Sequence, residues 1–252
     1  MIAQAELKRL RALHQKKART EERRFLVQGR KVVRELLGSS LRTEALYATE
    51  DAAAFIRDAA GDIPLHVLPA HDLERIGTFD TGSELVAVAV QPEMPAFRAP
   101  AAGELMLALD DIHDPRNMGG LLRIADWFGI TRVLCSPDCM EIYNPKVVQS
   151  SMGSIFRVEV RYAALEGQLA ACATAGAALY LANMEGTPIY EATLRRPAVL
   201  VLGSESHGLS AALRALDATV LSIPRSGHAE SLNVAMAAVA LCTEFARRAR
   251  SP

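Results

Sequence analysis

Three segments hold polar side chains in an arrangement that a reaction site could use: DDIHDPRNMGGLLRIA (110–125), LVLGSESHGLS (200–210) and IPRSGHAESLNVAMAAV (223–239). In the first, Asn117 stands at or near a helix start, where a side-chain amide can cap free N–H groups or hold a substrate hydroxyl. Arg123 falls off the apolar stripe of Leu121, Leu122, Ala125 and Phe128. It reads either as an exposed helix cation or as a group aimed at a substrate. Gly119 and Gly120 lower helix propensity, which suggests close backbone approach. Glu205 is the sole carboxylate of the second segment. In the third, Ser231 reads as a helix N-cap, and Asn233 can project from the first turn toward a ligand. Taken singly, each has an ordinary reading as cap, turn or solvated charge; their weight lies in their company.

Several chemistries lack support. GSESH does not have the G-x-S-x-G spacing of a hydrolase nucleophile elbow, and no G-x-G-x-x-G dinucleotide fingerprint occurs. Each segment carries one histidine (His113, His207, His228), but no two stand at helical i, i+4 spacing, so no metal is expected. Cys135, Cys139, Cys172 and Cys242 form no repeated C-x-x-C and read as reduced, partly buried thiols.

The elements that position these segments alternate. After QPEMPAFRAPAAG (91–103), strands are expected at 104–110, 132–136, 157–161, 178–183, 198–203 and 219–224. Helical patterns near 117–129, 145–151, 165–175 and from 231 to about 248 separate them. Apolar strands between helices point to a mostly parallel sheet covered on both faces. Before the Pro-rich stretch, a basic helix over about 3–20 precedes strands at 25–28, 44–49, 65–68 and 84–90 and helices at 29–37, 51–60 and 70–76. The expected organisation is a small α/β domain (1–92), a linker (93–103) and a larger α/β domain (104–252).

With 252 residues, half of them hydrophobic, the chain can bury a sizeable core. No apolar run approaches the roughly 18–20 residues that span a bilayer. The first residues lack the apolar stretch of a secretory signal, so a cytoplasmic protein is expected, with no membrane partner. A formal charge of −1 hides an asymmetry: residues 1–35 carry 11 Lys/Arg against 4 Glu, and the remainder 17 basic against 25 acidic. A basic arm on an acidic body suggests a phosphate-backbone contact at one end.

The order and wording of the three segments resemble the motifs of the SpoU (TrmH) class of SPOUT RNA 2′-O-ribose methyltransferases. The family pattern D-x-x-x-D-P-x-N-x-G with a downstream Arg appears as Asp110, Asp114, Pro115, Asn117, Gly119 and Arg123. G-x-E-x-x-G appears as Gly203, Glu205 and Gly208, and I-P followed by S-L-N-V as Ile223, Pro224, Ser231, Leu232, Asn233 and Val234. NPKVVQSSMGSIFRV (144–158) is similar to the family's Ser-x-Gly segment, here Ser151 and Gly153. The first half, including 16–37, more loosely resembles the ribosomal-protein-like substrate-binding domain often fused to this class.

The resemblance implies a C-terminal sheet whose last part threads a deep trefoil knot. It implies S-adenosylmethionine bound at Leu202, Gly203, Ile223, Pro224 and Leu232, and homodimers in which both subunits complete each site. It assigns the 2′-hydroxyl's proton to Arg123. A guanidinium pKa above about 12 suits that residue better to binding the adjoining phosphate and stabilising the developing alkoxide. Asn117, Glu205, Ser231 and Asn233 would orient ribose and arginine. Lys16, Lys17, Arg19, Arg23 and Arg30 offer phosphate-binding charge. The implied substrate is structured RNA, with 23S rRNA favoured over tRNA. A tRNA enzyme, an antibiotic-resistance rRNA methyltransferase and a non-catalytic RNA-binding paralogue remain as alternatives.

Overall fold

The computed structural model describes residues 2–77, 83–94, 96–204 and 207–249, which divide into two compact units: 1–93 with 141–157, and 94–140 with 158–252. In the first, β-branched and apolar runs form β1 (Arg24–Gln28), β2 (Thr43–Ala48), β3 (Leu65–Val67) and β4 (Leu85–Val90). Their order is β1-β4-β2-β3, with β4 antiparallel to both neighbours and β2 parallel to β3. Around them lie α1 (Gln4–Ala12), α2 (Lys16–Glu22), α3 (Arg30–Leu37), α4 (Glu50–Ala60) and α5 (Ala70–Ile76). Leu7 and Leu10 of α1 pack with Leu73, Ile76, Val86 and Val88 in one buried cluster.

The single basic helix expected over 3–20 is instead two, α1 and α2, broken between Leu13 and Gln15. Arg19 explains how the break is tolerated. Its Nη1 donates to the freed carbonyls of Leu13 (2.9 Å) and His14 (2.8 Å), groups that would otherwise be left without partners.

The second unit is a six-stranded, wholly parallel sheet. Its strands are β5 (Leu105–Leu109), β6 (Arg132–Cys135), β7 (Glu159–Tyr162), β8 (Ala178–Pro188), β9 (Ala198–Leu202) and β10 (Thr219–Ser222), in the order β10-β8-β9-β5-β6-β7. Every residue of β5 and of β9 is buried, as central strands covered on both faces require. Helices α6 (Pro115–Trp127), α8 (Leu165–Thr174), α9 (Ala211–Arg214) and α10 (Val234–Ala249) cover it, and α6 packs on α10. All four cysteines are free and buried. No described helix is long and apolar enough to cross a membrane.

Segment 141–157, containing α7 (Pro145–Ser151) and a 3-10 turn (Ser154–Phe156), groups with the first unit, a division the sequence boundary at 104 does not follow. Its anchors are far apart in sequence. Arg19 pairs with Glu141, and the Phe25 and Tyr143 rings lie 4.6 Å apart between centroids. Arg157 pairs with Glu35 at 2.7 Å. Gly153, at φ +96°, sits so close to Glu35 that an added Cβ would lie 2.8 Å from the glutamate Cβ.

Candidate functional site

The polar groups of the second unit gather where central strands end and loops begin, the usual place for ligands on a parallel sheet. β5 and β9 lie side by side, with Leu109 opposite Leu202. One residue further on, the Asp110 N–H donates to the Leu202 carbonyl at 2.9 Å. The buried Asp110 carboxylate then accepts the Ser210 N–H at 2.7 Å. Asp110 therefore ties the first and second loops together, a role the sequence reading did not give it. A terminal aspartate on an apolar strand was the available signal.

Beyond Asp110 the chain turns through Asp111, at φ +60°, and Asp114 caps α6 by accepting the N–H groups of Arg116 (2.7 Å) and Asn117 (2.9 Å). Pro115 occupies the first helical turn, where a missing N–H costs nothing. Beneath the loop, Cys139 Sγ lies 3.2 Å from the Leu109 carbonyl and accepts the Ile112 N–H at 3.3 Å. Hydrogen bonding with Cys135, and then with Ser136 and the Ile112 N–H, brings the Cys139 thiol down to about 7 despite its burial.

Asn117 and Asn233, 116 residues apart, meet directly: Asn233 Nδ2 donates to Asn117 Oδ1 at 2.9 Å. Asn233 Oδ1 accepts the N–H groups of Ala235 (2.9 Å) and Met236 (3.3 Å), so Asn233 caps α10. The helix consequently starts at Val234, and Ser231, expected as its cap, is exposed in the preceding loop. The physical reason is reach: an amide closer to the helix bonds its first free N–H groups. The same amide is left with its NH₂ end turned to α6.

Beside this pair is a cavity of about 460 Å3, whose walls include Leu202, Gly203, Ser204, Gly208, Leu209, Leu221, Ile223, Pro224, Ser231 and Leu232. Five residues expected at a cofactor site (Leu202, Gly203, Ile223, Pro224 and Leu232) and Ser231 thus line one cavity. Its volume falls in the range of small-molecule sites, roughly 300–1,000 Å3. Gly203 permits the fold of its rim. A Cβ there would lie 2.4 Å from the Gly208 carbonyl carbon and oxygen and 2.6 Å from the Leu209 nitrogen, all backbone atoms. Ser204 and Gly208 close the loop with paired backbone bonds of 3.1 and 2.9 Å.

The cavity lining also holds residues that sequence reasoning missed. β8 runs to Pro188, well past the expected 183, and its pairing with β10 steps from Leu181–Val220 to Thr187–Leu221. The stretch passed over, 182–186, supplies Ala182, Asn183 and Met184 to the cavity. Gly186 allows the bulge, since a Cβ would sit 2.7 Å from the Val220 carbonyl oxygen. Arg225 also lines the cavity, and its Nη1 donates to the Ala229 carbonyl at 3.0 Å.

Arg123 is not among the lining residues. It is exposed on α6, with no hydrogen bond or ion pair to a described residue. Six residues past Asn117, it lies about 120° around the helix and about 9 Å along it. Glu205 lies outside the described residues. His113 pairs with Asp111 at 2.6 Å, and among the described residues no group of three His, Cys, Asp or Glu side chains is placed to hold a metal.

The five cations expected to meet RNA, all in the first unit, fall into different situations. Lys16 and Lys17 are exposed on α2, Lys17 only 3.9 Å from Glu21. Arg23, in the left-handed region at φ +53°, donates to the Pro92 carbonyl at 3.0 Å. Arg30 is held by Asp51 and Glu84. Arg19 departs from the expectation. It is 2 % exposed, and its guanidinium is taken up by Glu141 and two helix-end carbonyls, which leaves none of it for a phosphate.

Residues 104–243 match the family model described as the SpoU rRNA Methylase family, and residues 4–87 match the MRM3-like substrate binding domain. A Bacillus subtilis relative, the 23S rRNA (guanosine(2553)-2′-O)-methyltransferase RlmP, is 30% identical over 230 residues, covering 91% of both chains. The structure of a Porphyromonas gingivalis protein described as a putative RNA methyltransferase of the TrmH family aligns with a TM-score of 0.88 at 38% identity, covering 98% of this chain and 99% of that one. The SpoU methyltransferase AviRb of Streptomyces viridochromogenes, solved in complex with AdoMet, aligns with a TM-score of 0.87 at 26% identity, covering 98% of each.

Proposed function

Because the chain belongs to the SpoU rRNA methylase family, we propose that it moves a methyl group from S-adenosylmethionine to a ribose 2′-hydroxyl of structured RNA, with 23S rRNA as the substrate. The observation that carries this reading is the cavity between the second and third loops, together with the Asn117–Asn233 hydrogen bond at its side. The walls fit the cofactor. Leu202, Leu209, Leu221 and Ile223 offer apolar surface for a purine, and the Gly203 rim allows close main-chain approach to its edge. Bound there, S-adenosylmethionine supplies an activated methyl group.

The protein's contribution is then placement. Asn117 and Asn233 fix one another, and the held amides orient the ribose. Arg123 would bind the neighbouring phosphate and stabilise the negative charge that develops on the 2′-oxygen, and Glu205 and Ser231, with the two amides, would orient ribose and arginine. The position of Arg123 outside the cavity lining of one chain suits a site completed across a homodimer. α6 and α10 offer a surface for that dimer, since Trp127 is 83 % exposed, Met236 65 % and Val239 45 %. The domain boundaries (1–92, 93–103, 104–252), the trefoil knot and a cytoplasmic location belong to the same proposal.

The test is transfer of labelled methyl groups to RNA from cells lacking this protein, followed by mapping of 2′-O-methylation. One ribose in 23S rRNA should gain the mark. Label confined to tRNA would establish the tRNA alternative, and absence of label from both would indicate a non-catalytic paralogue. A Trp127→Glu variant should sediment as a monomer and lose transfer; a dimer of unchanged activity would remove α6 from the interface.

A further inference from the structure

The first unit has a groove of its own, about 670 Å3, lined by Arg30, Lys31 and Arg34 of α3, by Phe55 of α4 and by Arg157. Its cations are of two kinds. Arg30 is immobilised: Asp51 and Glu84 hold its guanidinium, which stands 5.4 Å from the centroid of the Phe55 ring. Arg157 is paired with Glu35. Those three carboxylates are thereby engaged. Lys31 and Arg34, three residues apart and so on one face of α3, are exposed and form no ion pair with a described residue. The groove's uncommitted charge is therefore positive. Phe55 is 45 % exposed among these cations, on a helix whose Ala52, Ala53, Ile56 and Ala60 already fill the core. Core packing does not account for a large ring at that position.

A flat exposed ring backed by a fixed guanidinium, with two free cations beside it, matches what an unpaired nucleotide requires. The base stacks on the ring, and the adjoining phosphates meet the cations. A duplex keeps its base faces stacked inside and offers only phosphates and groove edges. We propose that the α3–α4 groove is a subsite for a single-stranded segment of the RNA substrate, in which a base stacks on Phe55 and Lys31 and Arg34 take its flanking phosphates. This rests on the RNA-methyltransferase reading and deepens it by naming the RNA conformation that the first unit recognises.

The test uses the full chain, a short fluorescent single-stranded RNA of mixed sequence, a blunt duplex of the same length, and 23S rRNA for methyl transfer. Phe55→Ala should weaken single-strand binding roughly 5-fold or more and leave duplex binding unchanged. Phe55→Tyr should retain affinity, whereas Phe55→Leu, which keeps apolar area but no ring, should not. The Lys31→Ala/Arg34→Ala double variant should flatten the salt dependence of single-strand binding by about 1.4, or about 0.7 for each phosphate no longer neutralised. Thermal melts should be unchanged, since all three side chains are exposed. Single-strand affinity that is unaffected by Phe55→Ala, or equal in Phe55→Leu and the unaltered chain, would overturn the subsite, as would a groove that binds only a protein. If the unaltered chain still methylates 23S rRNA in that case, only the subsite is lost. Failure to methylate any RNA would instead remove the reading beneath it.

Discussion

The cavity of the parallel sheet and the α3–α4 groove of the mixed sheet are built from opposite materials. The cavity is shaped by main chain: Gly203 against Gly208, Gly186 against Val220, and a bulge in β8. Its lining is mostly apolar or small, and Arg225 is the lone charged residue among its described walls. The groove is made mostly of long charged side chains, three of its four cations on α3 and the fourth, Arg157, just past the 3-10 turn, with carboxylates partnering two of the four. Backbone surfaces recognise a ligand of fixed shape and tolerate almost no added atom. Side-chain surfaces recognise charge and stacking, and they lose affinity by degrees when trimmed. The two regions should therefore fail differently under mutation.

The largest effect should come from Gly203→Ala. The added methyl group meets backbone that cannot rotate away, so S-adenosylmethionine affinity should fall by more than about 100-fold, and stability by about 1–3 kcal/mol from overpacking. Calorimetric titration and a thermal melt measure the two losses, and near-native affinity would mean that the rim is side-chain-like after all. Arg123→Ala should cost about 100-fold in turnover, as loss of a group stabilising developing charge does, with cofactor affinity retained. Arg123→Lys keeps the charge but not the fork, so near-normal turnover in that variant would argue against two-point phosphate binding.

In the first unit, Arg19→Met should lower stability by about 3 kcal/mol, because the partly buried Glu141 and two helix-end carbonyls lose their partner. The salt dependence of RNA binding should not change, and a flatter slope would return Arg19 to the RNA-facing set. Asn233→Ala removes a helix cap worth about 1 kcal/mol and also the hydrogen bond that Asn233 donates to Asn117. Chemical denaturation and turnover should both fall, whereas a drop in stability alone would make the pair purely structural.

The smallest effect is one of pH. Hydrogen bonds from Arg247 and Arg248 hold the Glu244 carboxyl down at about 2, against an ordinary value of 4.5. A carboxyl lowered on folding contributes fully above the ordinary value and loses that contribution as pH falls from about 4.5 toward 2. Glu244→Gln should therefore narrow the gap between unfolding free energies at pH 7 and pH 3, and an unchanged gap would show that the exposed Arg247 is screened by solvent.

Most strands and helices were legible because each is a local pattern. Runs such as LMLAL and AVLVL need no distant partner to be recognised as buried parallel strands. The loop residues were legible as a set, through their order. What escaped depended on contacts across long stretches of chain. Arg19 looked like one more cation of a basic arm, and only Glu141, 122 residues away, makes it a buried strut. The break between α1 and α2 is tolerated because the same side chain takes up its freed carbonyls. The extension of β8 depends on where β10 pairs, and Ser231 reads as the cap until folding shows Asn233 accepting the first N–H groups of α10 while its NH₂ end meets Asn117 on α6.

By itself the sequence determined the parallel sheet, the three loops and the family, because periodicity, turn residues and motif order are written in neighbouring positions. Tertiary structure alone decided which polar groups face a ligand and which hold the chain together. A guanidinium or an amide has the same chemistry in either role. Its role is chosen by the donors, acceptors and buried charges that folding brings within about 3 Å of it.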